Sequence, residues 1–157
     1  MTDYELFGPV DALLGSQITA EILVIEVVLL SLVVANMGAR ALAHRRQVAA
    51  VTAARDGDAD GDTDDAVTRH PAHVAMNVVL VLASFYYLTL APHAGMVASV
   101  IVVGVVLTDV FEFESRKVEA RRDLDLDRPK AAVAGSVLAL VYFIYVTFFS
   151  GPLGQFL

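Results

Sequence analysis

A chain of 157 residues that is 57% hydrophobic, at net charge −7, is too apolar for an ordinary soluble domain and too short for more than one compact unit. Cysteine is absent, which excludes disulfides, thiolate metal sites and thiol catalysis. Eighteen acids against eleven basic residues exclude a basic nucleic-acid surface, since no basic cluster stands clear of nearby acids.

The first segment, residues 1–16, carries Asp3, Glu5 and Asp11 and no basic residue. It does not read as a signal peptide, and its lack of positive charge suits the outer side of a membrane. Residues 17–39 follow as an apolar run close to the roughly 20 residues that a bilayer requires. Residues 40–55 (RALAHRRQVAAVTAAR) contain good or tolerable helix formers and predict a cytoplasmic continuation of the first helix. An acidic linker, 56–68, comes next. Asp56, Asp58, Asp60, Gly61, Asp62 and Asp64 match the start of a calcium loop, but Val67 occupies the twelfth position, where a bidentate Glu belongs. The segment therefore reads as a flexible acidic linker, with weak cation binding as the alternative.

The second and third apolar runs, 74–91 and 94–111, are separated by Pro92-His93, a tight turn. Residues 109–123 predict a second cytoplasmic helical extension, helped by Glu112 and Arg116 at i,i+4. The fourth run spans 131–150. Every Lys and Arg falls in the stretches 40–69 and 116–130, and only alternation with both termini outside keeps all of them in the cytoplasm. Backbone groups in lipid need partners within their own segment, so the spans should be helices. The fold class is all-α, a four-helix transmembrane bundle with cytoplasmic helical extensions, forming a single membrane domain over residues 1–157.

Glu26 is the most pointed position, because nine residues of helix from Gln17 place it about halfway through the bilayer. An intramembrane carboxylate is a candidate for proton or ion handling. Its plainer role is a hydrogen bond between helices, with Ser84, Tyr142 or Tyr145 at similar depth. At the inner face, His70 and His73 open the second span while Asp109, Glu112 and Glu114 close the third. A salt-bridged cap is the plain reading. A proton relay through His73, Asp109 and Glu112, or a metal held by His70 and His73, is the sharper one. Asn36 and Asn77 are placed for hydrogen bonding between helices. Ala131, Gly135 and Ala139 form a small-residue stripe for helix packing. Tyr142, Phe143, Tyr145, Phe148 and Phe149, with Phe85, Tyr86, Tyr87 and Phe7, would stack as an aromatic outer layer. Arg116, Lys117, Arg121 and Arg122 are candidates for binding a cytoplasmic partner. No nucleotide, nucleophile or cofactor motif is present, so enzymatic chemistry and a bound cofactor are not expected.

Residues 35–40 (ANMGAR), 84–89 (SFYYLT) and 108–121 (TDVFEFESRKVEAR), with Arg69-His70-Pro71 and Arg128-Pro129-Lys130, resemble an uncharacterised family of small four-span membrane proteins from halophilic archaea. The resemblance implies a membrane class and a salt-rich source, and it brings no activity or ligand. The acid-rich, Lys-poor composition agrees with that source, since clustered carboxylates hold water and cations when salt screens charge beyond a few ångströms. The expectation is a non-enzymatic accessory or scaffold subunit of a larger membrane assembly, with other membrane subunits or further copies of itself as partners beside the lipid bilayer. The alternative is a small oligomeric proton- or cation-coupled transporter centred on Glu26.

Overall fold

A computed structural model describes residues 8–57 and 65–150, with side chains from Ser16 onward. Helix α1 runs through Gly8–Arg55, α2 through Pro71–Leu90, α3 through Pro92–Arg121 and α4 through Lys130–Tyr145, with one π turn continuing α4 over Val146–Ser150. All four helices are long and apolar enough to cross a membrane. They form an up-down-up-down bundle in which α1 meets α2 and α4, and α3 meets the other faces of both. The stretch 58–64, which holds most of the calcium-loop resemblance, lies outside the described residues, as does Phe7.

The helix ends follow local chemistry. After α1, Gly57 takes φ +79°, the left-handed conformation in which a missing Cβ avoids a clash. After α3, Asp123 takes φ +54°, and short polar side chains tolerate that region better than most. Between α2 and α3 only Ala91 lies outside a helix. Pro92 is the first residue of α3 rather than part of a loop, where its missing N–H is no loss. The hairpin closes tightly at Gly95. A Cβ there would lie 2.3 Å from the Leu88 Cα, so glycine is required by the approach of one backbone to another.

The bundle faces inward along seams of alternating three- and four-residue spacing. On α1 the buried positions Glu26, Val33, Arg40 and Gln47 recur every seventh residue, with Leu29, Asn36 and Ala43 between them. On α2 the series is His73, Leu80, Tyr87 with Asn77 and Ser84 interleaved. On α4 it is Ala132, Ser136, Ala139, Phe143. This is the repeat that keeps one stripe of each helix facing its neighbours in a left-handed bundle. The stripe Ala131, Gly135 and Ala139 does not form the seam. A strict four-residue repeat drifts away from a 3.5-residue one, so Ala131 is exposed, Gly135 is half-buried against Val105, and only Ala139 is buried.

The radial distribution is inverted relative to a soluble protein. Glu26, Asn36, Arg40, Gln47, Asn77, Asp109 and Arg116 are buried, while Val24, Val28, Val78, Leu82, Val100 and Leu138 point outward. Isolated apolar residues on a surface are ordinary, but a continuous apolar sheath around a polar seam is what lipid as solvent selects. Beyond the apolar segments, Val51, Val67, Phe113 and Ala120 form a second small core, with Ala66 and Leu126 against it. The helical extensions are therefore packed together with the end of the acidic linker.

The expected aromatic layer is largely absent among the described residues. Tyr142 and Phe143 meet edge to face at 5.8 Å, whereas Phe85 and Tyr86 point outward and Tyr87 points into the core. Three consecutive helical positions spread over about 200°, so Phe85, Tyr86 and Tyr87 cannot share one face.

Candidate functional site

At the Arg40 end of the apolar segments the seam becomes polar on every helix, and its centre is Arg40, which is 2% exposed. A buried guanidinium must satisfy its donors within the protein. Arg40 does so across the bundle. Nε donates to Asp109 Oδ1 on α3 at 3.1 Å, and Nη2 donates to Asn36 Oδ1 on its own helix at 3.0 Å. Nη1 donates to the Ala132 carbonyl at 2.9 Å and to Ser136 Oγ at 2.5 Å, both on α4. Asn36 Nδ2 then donates to Asn77 Oδ1 at 2.6 Å, and Asn77 Nδ2 to Asp109 Oδ2 at 3.3 Å. Arginine, carboxylate and two carboxamides thus close a ring through α1, α2 and α3, with α4 attached through Ala132 and Ser136. His73 Nδ1 stands 3.7 Å from Asp109 Oδ2, while His73 Nε2 is buried without a hydrogen-bond partner.

The other members of the inner-face constellation are turned elsewhere. Glu112 Oε1 accepts the Ala131 backbone N–H at 2.7 Å, so this carboxylate caps the start of α4. Glu114 pairs with Arg69 at 3.5 Å. His70 contacts Arg46 and borders the same cavity as His73. Arg69 also lies over the Phe113 ring, 4.4 Å from its centroid. In the connector after α3, the Lys130 ammonium 3.0 Å from Asp127 holds that carboxyl below its ordinary pKa.

Of the partner-binding candidates, Arg121 and Arg122 are exposed and Lys117 is half-buried. Arg116 is not on the surface. It is 5% exposed, and its Nε has no hydrogen-bond partner. It faces a cavity of about 260 Å³ that also borders Arg40, Arg69, His73 and Asp109.

Glu26 belongs to a separate site. Tyr87 donates its phenolic O–H to Glu26 Oε1 at 2.8 Å, and Oε2 has no partner. The expected partners are engaged otherwise. Ser84 donates to the Val81 carbonyl, Tyr142 donates to the Ala94 carbonyl, and Tyr145 is exposed. Fourteen residues separate Glu26 from Arg40 along α1, about 21 Å of helix. Between them Leu29, Val33, Leu80 and Val102 are buried together as an apolar layer.

Arg40 is the residue that reasoning from charge alone misplaces, because it is counted with the loop arginines. The signal that finds it is spacing, since it lies two heptads after Glu26 on the same stripe.

Four membrane-spanning helices around a polar seam, closed at one end by a buried arginine, define a helical-bundle membrane protein. The chain belongs to the family described as Domain of unknown function (DUF7313), whose pattern matches residues 2–152. No curated protein and no solved structure matches it.

Proposed function

We propose that the protein is a non-enzymatic accessory or scaffold subunit of a larger membrane assembly. In this reading it sits in the cell membrane with its basic stretches in the cytoplasm and both chain ends outside, which follows from the asymmetry of Lys and Arg. One observation carries the role. Hydrogen bonds among Arg40, Asn36, Asn77 and Asp109, and between Tyr87 and Glu26, join helix to helix, and the buried Leu29, Val33, Leu80 and Val102 lie between these two polar sites. A proton or ion path from Glu26 to His73 and Asp109 needs water or polar side chains at that level. What remains available to a partner is the apolar outer sheath and the charged cytoplasmic end, where Lys117, Arg121 and Arg122 lie.

The test is purification of the tagged protein from native membranes in mild detergent at multimolar salt, followed by native mass measurement. A second protein at fixed ratio, lost when Lys117 and Arg122 are changed to Glu, is the expected result. A homo-oligomer that drives proton flux in vesicles, abolished by Glu26→Gln, overturns the reading in favour of transport.

A further inference from the structure

The cavity beside the Arg40 ring has two unlike ends. Toward the cytoplasm it is walled by Arg40, Arg69, Arg116 and His73, with Asp109 as the carboxylate among its lining residues. Both Asp109 oxygens are already taken, Oδ1 by Arg40 and Oδ2 by Asn77. Arg116 faces the cavity with its Nε unpartnered and 95% of its surface buried, although the charges of Asp109, Glu112 and Glu119 act on it, and His73 Nε2 is likewise unpartnered. A buried cationic donor without an acceptor is costly unless an anion completes it. Toward the membrane the lining changes to Val78, Leu82, Val106 and Val110. From Arg116 to Val106 is about 15 Å along α3, half the thickness of the hydrocarbon core. Val78 and Leu82 are also exposed on the outer sheath, so the apolar end opens sideways to lipid.

We infer that this cavity binds an oxyanionic group carried on a hydrocarbon chain, supplied by an anionic lipid of the inner leaflet. The oxyanion sits against Arg116, Arg69 and His73 Nε2, and the chain lies along Val78, Leu82 and Val106. A basic pocket between spans on the cytoplasmic side is the arrangement that receives such headgroups. A soluble anion would use the cationic end alone and leave the apolar channel unexplained. The inference stands whether the protein acts as a scaffold or as a transporter.

The test uses the full-length protein, delipidated in detergent and titrated with phosphatidylglycerol, phosphatidylcholine or inorganic phosphate, with bound species counted by native mass spectrometry. One phosphatidylglycerol should be retained per chain, at least about tenfold more tightly than phosphatidylcholine, as charge-assisted hydrogen bonds require. Arg116→Gln should remove that preference, and Val78→Trp should weaken retention by filling the channel. Arg122→Gln, on the exposed surface, should leave both unchanged. Should Arg116→Gln fail to fold, Arg69→Gln and Val78→Trp carry the test. Equal retention of the two lipids overturns the inference. So does displacement of phosphatidylglycerol by inorganic phosphate at equal concentration, or retention that survives both Arg69→Gln and Val78→Trp.

Discussion

Arg40 and Asp109 are 69 positions apart in sequence, yet Nε and Oδ1 meet at 3.1 Å with both side chains buried. The pair joins the longest helix to the third, and through Asn77, Ala132 and Ser136 it reaches the other two. In a bundle whose outer surface is as apolar as its solvent, hydrophobic burial does little to choose one helix arrangement over another. Hydrogen bonds in the seam and close packing make that choice.

Breaking this pair on one side should be severe. Asp109→Asn leaves the Arg40 guanidinium without its counter-charge, and the expected cost is about 3 kcal/mol or more. Arg40→Gln should cost a similar amount, and the double variant less than the sum of the two. Unfolding midpoints of the four proteins in detergent measure this, and strict additivity would show that the two side chains do not act as a unit.

Glu26→Gln should be mild. A carboxamide oxygen still accepts the Tyr87 O–H, so the fold should hold with a change below about 1 kcal/mol, in the range measured for hydrogen bonds between membrane helices. Tyr87→Phe removes the donor and should cost more than Glu26→Gln does. Thermal unfolding in detergent decides the order.

Two glycines of α3 should respond in opposite ways. Gly95→Ala places a methyl 2.3 Å from the Leu88 Cα, where backbone must move, and about 2 kcal/mol of destabilisation is expected. Gly104→Ala meets nothing within 4 Å and should be neutral or slightly stabilising. The same unfolding assay compares them. Equal effects would mean that the α2–α3 hairpin is more open than described.

Glu112→Ala should loosen the start of α4. Its carboxylate accepts the Ala131 N–H, and losing a cap of this kind costs about 1 kcal/mol. Hydrogen exchange at residues 131–133 should quicken while exchange in the middle of α2 stays unchanged.

The spans were legible because a bilayer imposes length and hydropathy on each of them. The run expected at 17–39 with its extension 40–55 is one helix, Gly8–Arg55, and the run at 74–91 is helix Pro71–Leu90. The fourth, expected to 150, is α-helical to Tyr145 and turns into a π turn beyond it. The hydrogen bond expected between helices at Asn36 and Asn77 is present. What sequence did not disclose is which side chains meet around Arg40. His70, His73, Asp109, Glu112 and Glu114 occupy neighbouring helix ends, but a long side chain reaches several candidates, and helix rotation decides among them. Arg116 shows the limit. Its charge suggested a docking surface, while its place seven residues after Asp109 on the seam put it inside.

Helix α1 crosses out of the apolar region at Arg40 and continues unbroken for fifteen residues to Arg55, about 22 Å. Its far end is tied to the connector between α3 and α4, since Arg55 Nη2 donates to the Leu124 carbonyl and the guanidinium pairs with Asp123 and Asp125. Such a rod is a lever with its fulcrum at the Arg40 ring. A tilt of 5° there swings the Arg55 end by about 2 Å and drags the connector with it. Force applied to the Arg55 end is thereby returned to α3 and α4 where they leave the apolar region, so a partner gripping the rod would pull on three helices at once.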